Sequence, residues 1–173
     1  MASVKFEDSK TSGVHKDLLK MTGNWQGTTK VYFEPPVIAD ESPVSGTITS
    51  ILDGRFLLHQ YNGAMQGKAL SGFVIFGYDL NTEKYQSAWI DSYHNGTGIM
   101  FSESEKSPQK NSVLGSYSSG GDEPEIWGWR TEMELNEYDQ LIIRAFNISP
   151  QGEEMIATET VYSRQNYLMD KVD

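Results

Sequence analysis

The chain has 173 residues, 38% of them hydrophobic, 22% charged and 12% aromatic. A chain of this size and apolar content buries roughly 70% of its unfolded surface in one core, which excludes disorder. Lys and Arg number 14 against 24 for Asp and Glu, so the formal charge of -10 speaks against nucleic acid and anionic lipid surfaces as partners, and the absence of cysteine removes disulfides, thiolate metal sites and cysteine nucleophiles.

Residues 1–11 are polar and charged without periodicity and read as a loosely docked amino-terminal arm. The stretch Met1 to Asp8 lacks the apolar segment of a secretion signal, and no run approaches the ~18 apolar residues of a membrane-spanning helix, which points to a soluble, cytoplasmic protein. Ser12 is placed to cap a short helix in which Val14, Leu18 and Met21 recur at i, i+4 and i+7, and Gly23 ends it. Such a helix can lay its one apolar stripe across an open barrel end, as a structural plug or, alternatively, as a ligand gate. From Trp25 the period becomes two, with Trp25, Gly27, Thr29, Val31 and Phe33 on one face and Asn24, Gln26, Thr28 and Lys30 on the other. Pro35-Pro36 stops that strand, and a loop is expected as far as Pro43. Further strands are expected at 44–52, 55–63, 68–78, 84–92, 97–104, 111–118, 126–135, 140–148 and 154–164, which makes ten with the first. Residues 12–165 are read as a single domain, and 166–173 as a tail.

The joints carry turn chemistry, among them Asp53-Gly54, Met65-Gln66-Gly67, His94-Asn95-Gly96, Gly120-Gly121-Asp122 and Pro150-Gln151-Gly152, and connections this short make sequential strands antiparallel. As an open sheet the meander would leave two bare edges and an uncovered apolar face; closure removes both. The expected fold is therefore all-β, a closed antiparallel up-and-down barrel of about ten strands with a short amino-terminal helix. Barrels of ~8 strands are the width that side chains nearly fill, so a wider one implies a cavity. Closure also brings the last strand beside the first, where Arg164 can lie over the indole of Trp25 in a cation-π contact worth roughly 0.5 to 2 kcal/mol. These two residues are assigned a structural role.

Few motifs speak of chemistry. Gly63-Ala64-Met65-Gln66-Gly67-Lys68 lacks the length and the Ser or Thr of a phosphate-binding loop and reads as a hairpin; Asn95-Gly96-Thr97 and Asn147-Ile148-Ser149 read as chance sequons. His15, His59 and His94 are isolated from one another and from carboxylate clusters, so neither a metal nor a cofactor is expected, and there is no Gly-x-Ser-x-Gly elbow. More informative are strand faces that mix aromatic with polar side chains, as pocket walls do. Tyr85, Ser87, Trp89 and Asp91 share one face, and Leu57, His59 and Tyr61 another. Ile126, Gly128, Arg130 and Glu132 alternate with Trp127, Trp129, Thr131 and Met133, and either parity can face inward. If Asp91 and Arg130 both point into the lumen they must pair there, because a desolvated carboxylate alone costs several kcal/mol; otherwise they are solvent-facing strand charges.

The Gly-x-Trp of the first strand, the Arg after the last and the leading helix resemble the calycins, the superfamily of lipocalins and fatty-acid-binding proteins. Gly54-Arg55-Phe56-Leu57, Tyr61, Gly72, Gly77-Tyr78-Asp79, Trp89-Ile90-Asp91-Ser92 and Tyr162-Ser163-Arg164 together look like a bacterial lipocalin-like family of unknown function, over roughly residues 15 to 165. Gly23-Asn24-Trp25-Gln26-Gly27 is also similar to the opening of the nitrobindins. The resemblance implies haem ligation by a histidine near the carboxyl end there, and this chain has no histidine after His94 for that role. The first reading of function is a carrier of a small apolar or amphipathic ligand, with Tyr61 and Trp89 as wall and Asp91 and Arg130 as polar anchor. The alternatives are an enzyme using Asp91, Glu132 or His59 for proton transfer, and a module with a filled barrel that self-associates, as in a homodimer.

Overall fold

The computed structural model describes residues 4–108 and 110–165; the expected tail lies outside the described residues. Ten strands follow one another around a barrel: β1 (Gly23–Glu34), β2 (Val37–Ile51), β3 (Phe56–Met65), β4 (Lys68–Asp79), β5 (Lys84–Asp91), β6 (Met100–Glu103), β7 (Asn111–Ser118), β8 (Ile126–Leu135), β9 (Gln140–Ile148) and β10 (Glu154–Arg164). Each is antiparallel to the next, and β1 closes on β10 with Trp25 opposite Arg164 and Gly27 opposite Tyr162. The sheet therefore has no free edge and a single interior, to which alternate residues of every strand point.

Two strands depart from the expected limits. β2 starts at Val37, directly after the Pro35-Pro36 turn, and runs through Pro43, which was expected to end a loop. Pro43 sits opposite Thr28 on β1, while the ladder to β3 begins at Ser45↔Asn62. The proline thus lies where β2 is paired on one side, the position at which a missing donor does least harm. β6 is shorter than expected: it has four residues, and its ladder to β7 comprises Ser102↔Gly115 and Glu103↔Leu114.

The amino-terminal stretch expected to be loosely docked is helical, as α1 (Val4–Ser12), followed by α2 (Val14–Leu19). Ser12 ends α1 and donates to the Asp8 carbonyl at 3.2 Å, so the N-cap of α2 falls to Gly13 instead. A single aromatic docks α1: Phe6 is 5% exposed, edge-on to the His15 ring at 5.0 Å and under the Arg55 guanidinium at 4.3 Å. One apolar anchor among polar residues, with Ser9 held to His15 Nδ1 at 2.9 Å beside it, leaves no periodic stripe in the sequence, which is why the helix was illegible there. No helix among the described residues is long and apolar enough to cross a membrane.

The helices lie across the end of the barrel where β1 begins and β10 finishes. Leu18 and Met21 join Trp25, Ile48, Leu57, Phe76, Tyr85, Leu141 and Tyr162 in one buried cluster that fills this end. Trp25 donates its Nε1 proton to the Met21 carbonyl at 3.0 Å, and the Arg164 guanidinium covers the ring at 4.2 Å. Arg164 also donates to the carbonyls of Thr22 and, at 2.8 Å, Lys20, and to both oxygens of Asp139 at 2.7 and 2.9 Å. The plug assigned to Trp25 and Arg164 is thus a knot joining the first strand, the last strand, the end of α2 and the β8–β9 turn.

Candidate binding cavity

Above the plug the interior does not close. A cavity of about 150 Å³ runs from Ile48, Leu57, Phe76 and Val113 at the packed end toward Val31, Met65, Leu70 and His94 at the other. Its walls are β-branched and aromatic side chains delivered by the inward positions of the strands, and a second buried cluster of Met100, Trp129, Ala145 and Ala157, backed by Trp89 and Tyr117, forms one side. The Trp89 and Trp129 rings stack at 5.5 Å.

Glycines make room for the polar groups inside. Tyr61, Gly72 and Asp91 stand in one row across β3, β4 and β5. A methyl on Gly72 would lie 2.3 Å from Tyr61 Cζ and Oη, so the phenol crosses the sheet only because that position has no side chain. There Tyr61 Oη accepts the Trp89 indole proton at 2.8 Å. Burial, then the nearby Asp91 charge, raises the Tyr61 hydroxyl well above the usual tyrosine range, which keeps it protonated. Gly46 serves His59 in the same way: a methyl there would come within 2.8 Å of both His59 Nε2 and Tyr162 Oη, which stand 3.3 Å apart. Burial lowers His59 to about 4, so its imidazole is neutral at ordinary pH and can both donate and accept.

Of the expected ligand-binding residues, Tyr61 and Trp89 line the cavity and touch each other. Asp91 is interior, but it is already saturated and pairs with His94, not with Arg130. Its Oδ1 accepts the backbone N–H of Tyr93, His94 and Asn95 at 3.2, 2.6 and 3.0 Å, and its Oδ2 meets His94 Nδ1 at 2.5 Å. Burial pushes this carboxyl up, yet the His94 side chain and the Asn95 and His94 backbone donors outweigh it and hold it below the usual range. An ionised, fully hydrogen-bonded Asp91 is a brace for the β5–β6 loop and no proton donor. What it braces is His94, whose ring leans on Trp89 at 5.5 Å and Trp129 at 6.0 Å and borders the cavity. Nothing in the sequence singled out His94, since its i, i+3 spacing from Asp91 falls in a turn.

Arg130 faces outward, contrary to the lumenal pairing anticipated with Asp91. Trp129, Thr131 and Met133 take the inward parity of β8, and Arg130 lies over the Phe146 ring at 4.1 Å, held by Glu132 and by Glu154 at 2.6 and 2.7 Å. Arg144 makes a parallel external pair with Glu159 at 2.8 Å. Glu132 is thereby also removed from the interior. The strand could choose because aromatic residues occupy one parity and an ion pair with the neighbouring strands satisfies the other. Among the described residues, none that lines the cavity is Asp, Glu, Lys or Arg. Among the described residues no group of three or more His, Asp or Glu side chains stands ready for a metal ion.

No curated protein matches the sequence. Residues 10–164 match the family described as protein of unknown function (DUF1579), and the chain belongs to that family.

Proposed function

We propose that this barrel binds a small apolar or amphipathic molecule in its cavity. The observation that carries the reading is a barrel packed at one end and hollow above it, walled by Trp, Met, Val and Ile with His59, Tyr61 and Tyr162 set among them. Apolar walls with a few fixed polar groups are the usual make-up of a small-molecule site. The likeness to lipocalin-like barrels supports it as analogy of fold alone. Native mass spectrometry of the purified chain, with a thermal-shift screen of apolar and amphipathic compounds, tests it. A bound mass or a saturable rise in Tm is expected; a chain that stays free and unshifted across the screen overturns it.

The outer wall favours a second reading, self-association. Phe73 faces Ile90 across β4 and β5, and Ile75, Ala88 and Phe101 form the next row, with Phe101 71% exposed and none of these five charged. Side chains of this kind offer several hundred Å² of apolar surface, against roughly 800 Å² per partner in a standard interface, and the patch can meet its own copy about a twofold axis. Light scattering of the wild type and of Phe101→Asp checks it: a dimer that the substitution converts to monomer is expected, and a monomeric wild type at 100-fold varied concentration refutes it.

A further inference from the structure

We infer that the cavity selects an uncharged molecule about the size of one aromatic ring, carrying a hydrogen-bonding group, and rejects carboxylates, including fatty acids. This deepens the carrier reading above and rests on it.

Three observations converge. The first is charge. Arg130 and Arg144 are held in ion pairs on the outer face and Arg164 lies at the plug against Asp139, so none of the three is free to meet an anion inside. The interior carboxylate that does exist, Asp91, stands in one row with Gly72 and Tyr61 and is ionised with its own partner in His94, so an anionic ligand would be desolvated near a like charge with no Lys or Arg in the lining to offset it. The second is size. About 150 Å³ falls below the roughly 300–1,000 Å³ of drug-sized pockets and matches cavities that hold a single benzene-sized molecule. A long acyl chain does not fit. The third is the polar complement. Tyr61 Oη, Thr29 and Thr160 are already engaged inside the barrel, and the small hydroxyls of Ser87, Thr131 and Thr158 add to its polar lining. Among the described residues the His59 ring, which lines the cavity, is engaged through one nitrogen only: Nε2 meets Tyr162 Oη at a long 3.3 Å, which leaves Nδ1 as the position it offers to a guest. A neutral imidazole can offer that nitrogen as donor or acceptor according to tautomer, so an alcohol, phenol or amide group is matched and a carboxylate is not.

Titration calorimetry and Trp emission with benzyl alcohol, phenol, toluene, benzoate and decanoate at pH 7.5 test this on the intact chain. Benzyl alcohol and phenol are expected to bind at least tenfold more tightly than benzoate, with decanoate showing no saturable binding. His59→Phe keeps the ring and deletes the hydrogen bond, so it should weaken phenol about tenfold and leave toluene unchanged, with circular dichroism and toluene binding serving as the control for folding. Benzoate or decanoate binding as well as benzyl alcohol overturns this inference while the carrier reading stands; an equal loss of phenol and toluene in His59→Phe overturns the anchor. If none of the five binds up to the millimolar range, this inference falls, and the wider screen by native mass spectrometry and thermal shift decides the carrier reading separately.

Discussion

Arg164→Ala strikes the knot at the sealed end, and its cost can be built from the contacts. The guanidinium stacked on Trp25 at 4.2 Å contributes about 1 kcal/mol, since its side chain is 22% exposed. Its charged donors also satisfy the Lys20 and Thr22 carbonyls at the end of α2, and orphaning these adds about 1.5–2 kcal/mol. The pair with Asp139, whose side chain is 56% exposed, adds no more than about 0.5 kcal/mol. The sum, about 3 kcal/mol, is a large fraction of the stability of a typical domain. Urea unfolding followed by Trp emission should show the midpoint falling accordingly with an unchanged m-value. Arg164→Lys should lose about half as much, because an ammonium cannot lie flat on the indole and reach both carbonyls and Asp139 together. Asp139→Asn should cost little. A loss below about 0.5 kcal/mol in Arg164→Ala, or an Asp139→Asn loss equal to it, refutes the decomposition.

Gly72→Ala should destabilise by about 1–3 kcal/mol by driving Tyr61 off the sheet, and in a Tyr61→Leu background the same change should be nearly neutral; a full penalty in both backgrounds, read by urea melts, means the clash is elsewhere. His59 has a folded pKa of about 4 against 6.5 unfolded, so the unfolded state takes up the proton first and stability falls as pH drops from 6.5 to 4, by up to about 3 kcal/mol at pH 4. His59→Gln should flatten that slope, whereas His15, lowered by burial and by Arg55, keeps its share of it in both proteins. Asp91, lowered below 3.8, contributes stability above that pH and loses it only below, so its window does not overlap. Phe6→Ala should lower stability by about 2–3 kcal/mol, with the loss capped by undocking of α1, and should speed tryptic cleavage at Lys5 and Lys10; unchanged cleavage means α1 docks without its aromatic.

The barrel, its strand order and the Trp25–Arg164 contact were legible in the sequence, because period-two faces, short turns and the need to remove sheet edges all require the same closure. Trp89 and Tyr61 could each be named as wall from strand faces that mix aromatic with polar residues, but their contact with each other could not be read there. Arg130 could not be placed, since Gly128, Arg130 and Glu132 against Trp129, Thr131 and Met133 gives no parity signal strong enough until Phe146 and Glu154 are known to flank it on β9 and β10. His94 was missed for a different reason. Its importance comes from a turn that folds three backbone donors onto Asp91, and hydrogen bonding to the main chain leaves no residue-type pattern to read. Gly46 and Gly72 likewise look like ordinary strand glycines until the rings lying on them are seen.

The brevity of β6 bears on how anything reaches the interior. At the junction with β7 the ring of strands is stitched by two residue pairs, against seven between β1 and β10 and ten between β3 and β4. Met100, Ser102 and Val113, which flank this junction, all border the cavity. Local opening draws on the least-bonded stretch of a structure, so the amides of Ser102 and Gly115 should exchange with deuterium well before those of β1 and β10. With α1 and α2 fastened over one end, this thin seam lies beside the far end bordered by Val31, Met65 and Leu70, and widens the side of the molecule through which a guest can come and go.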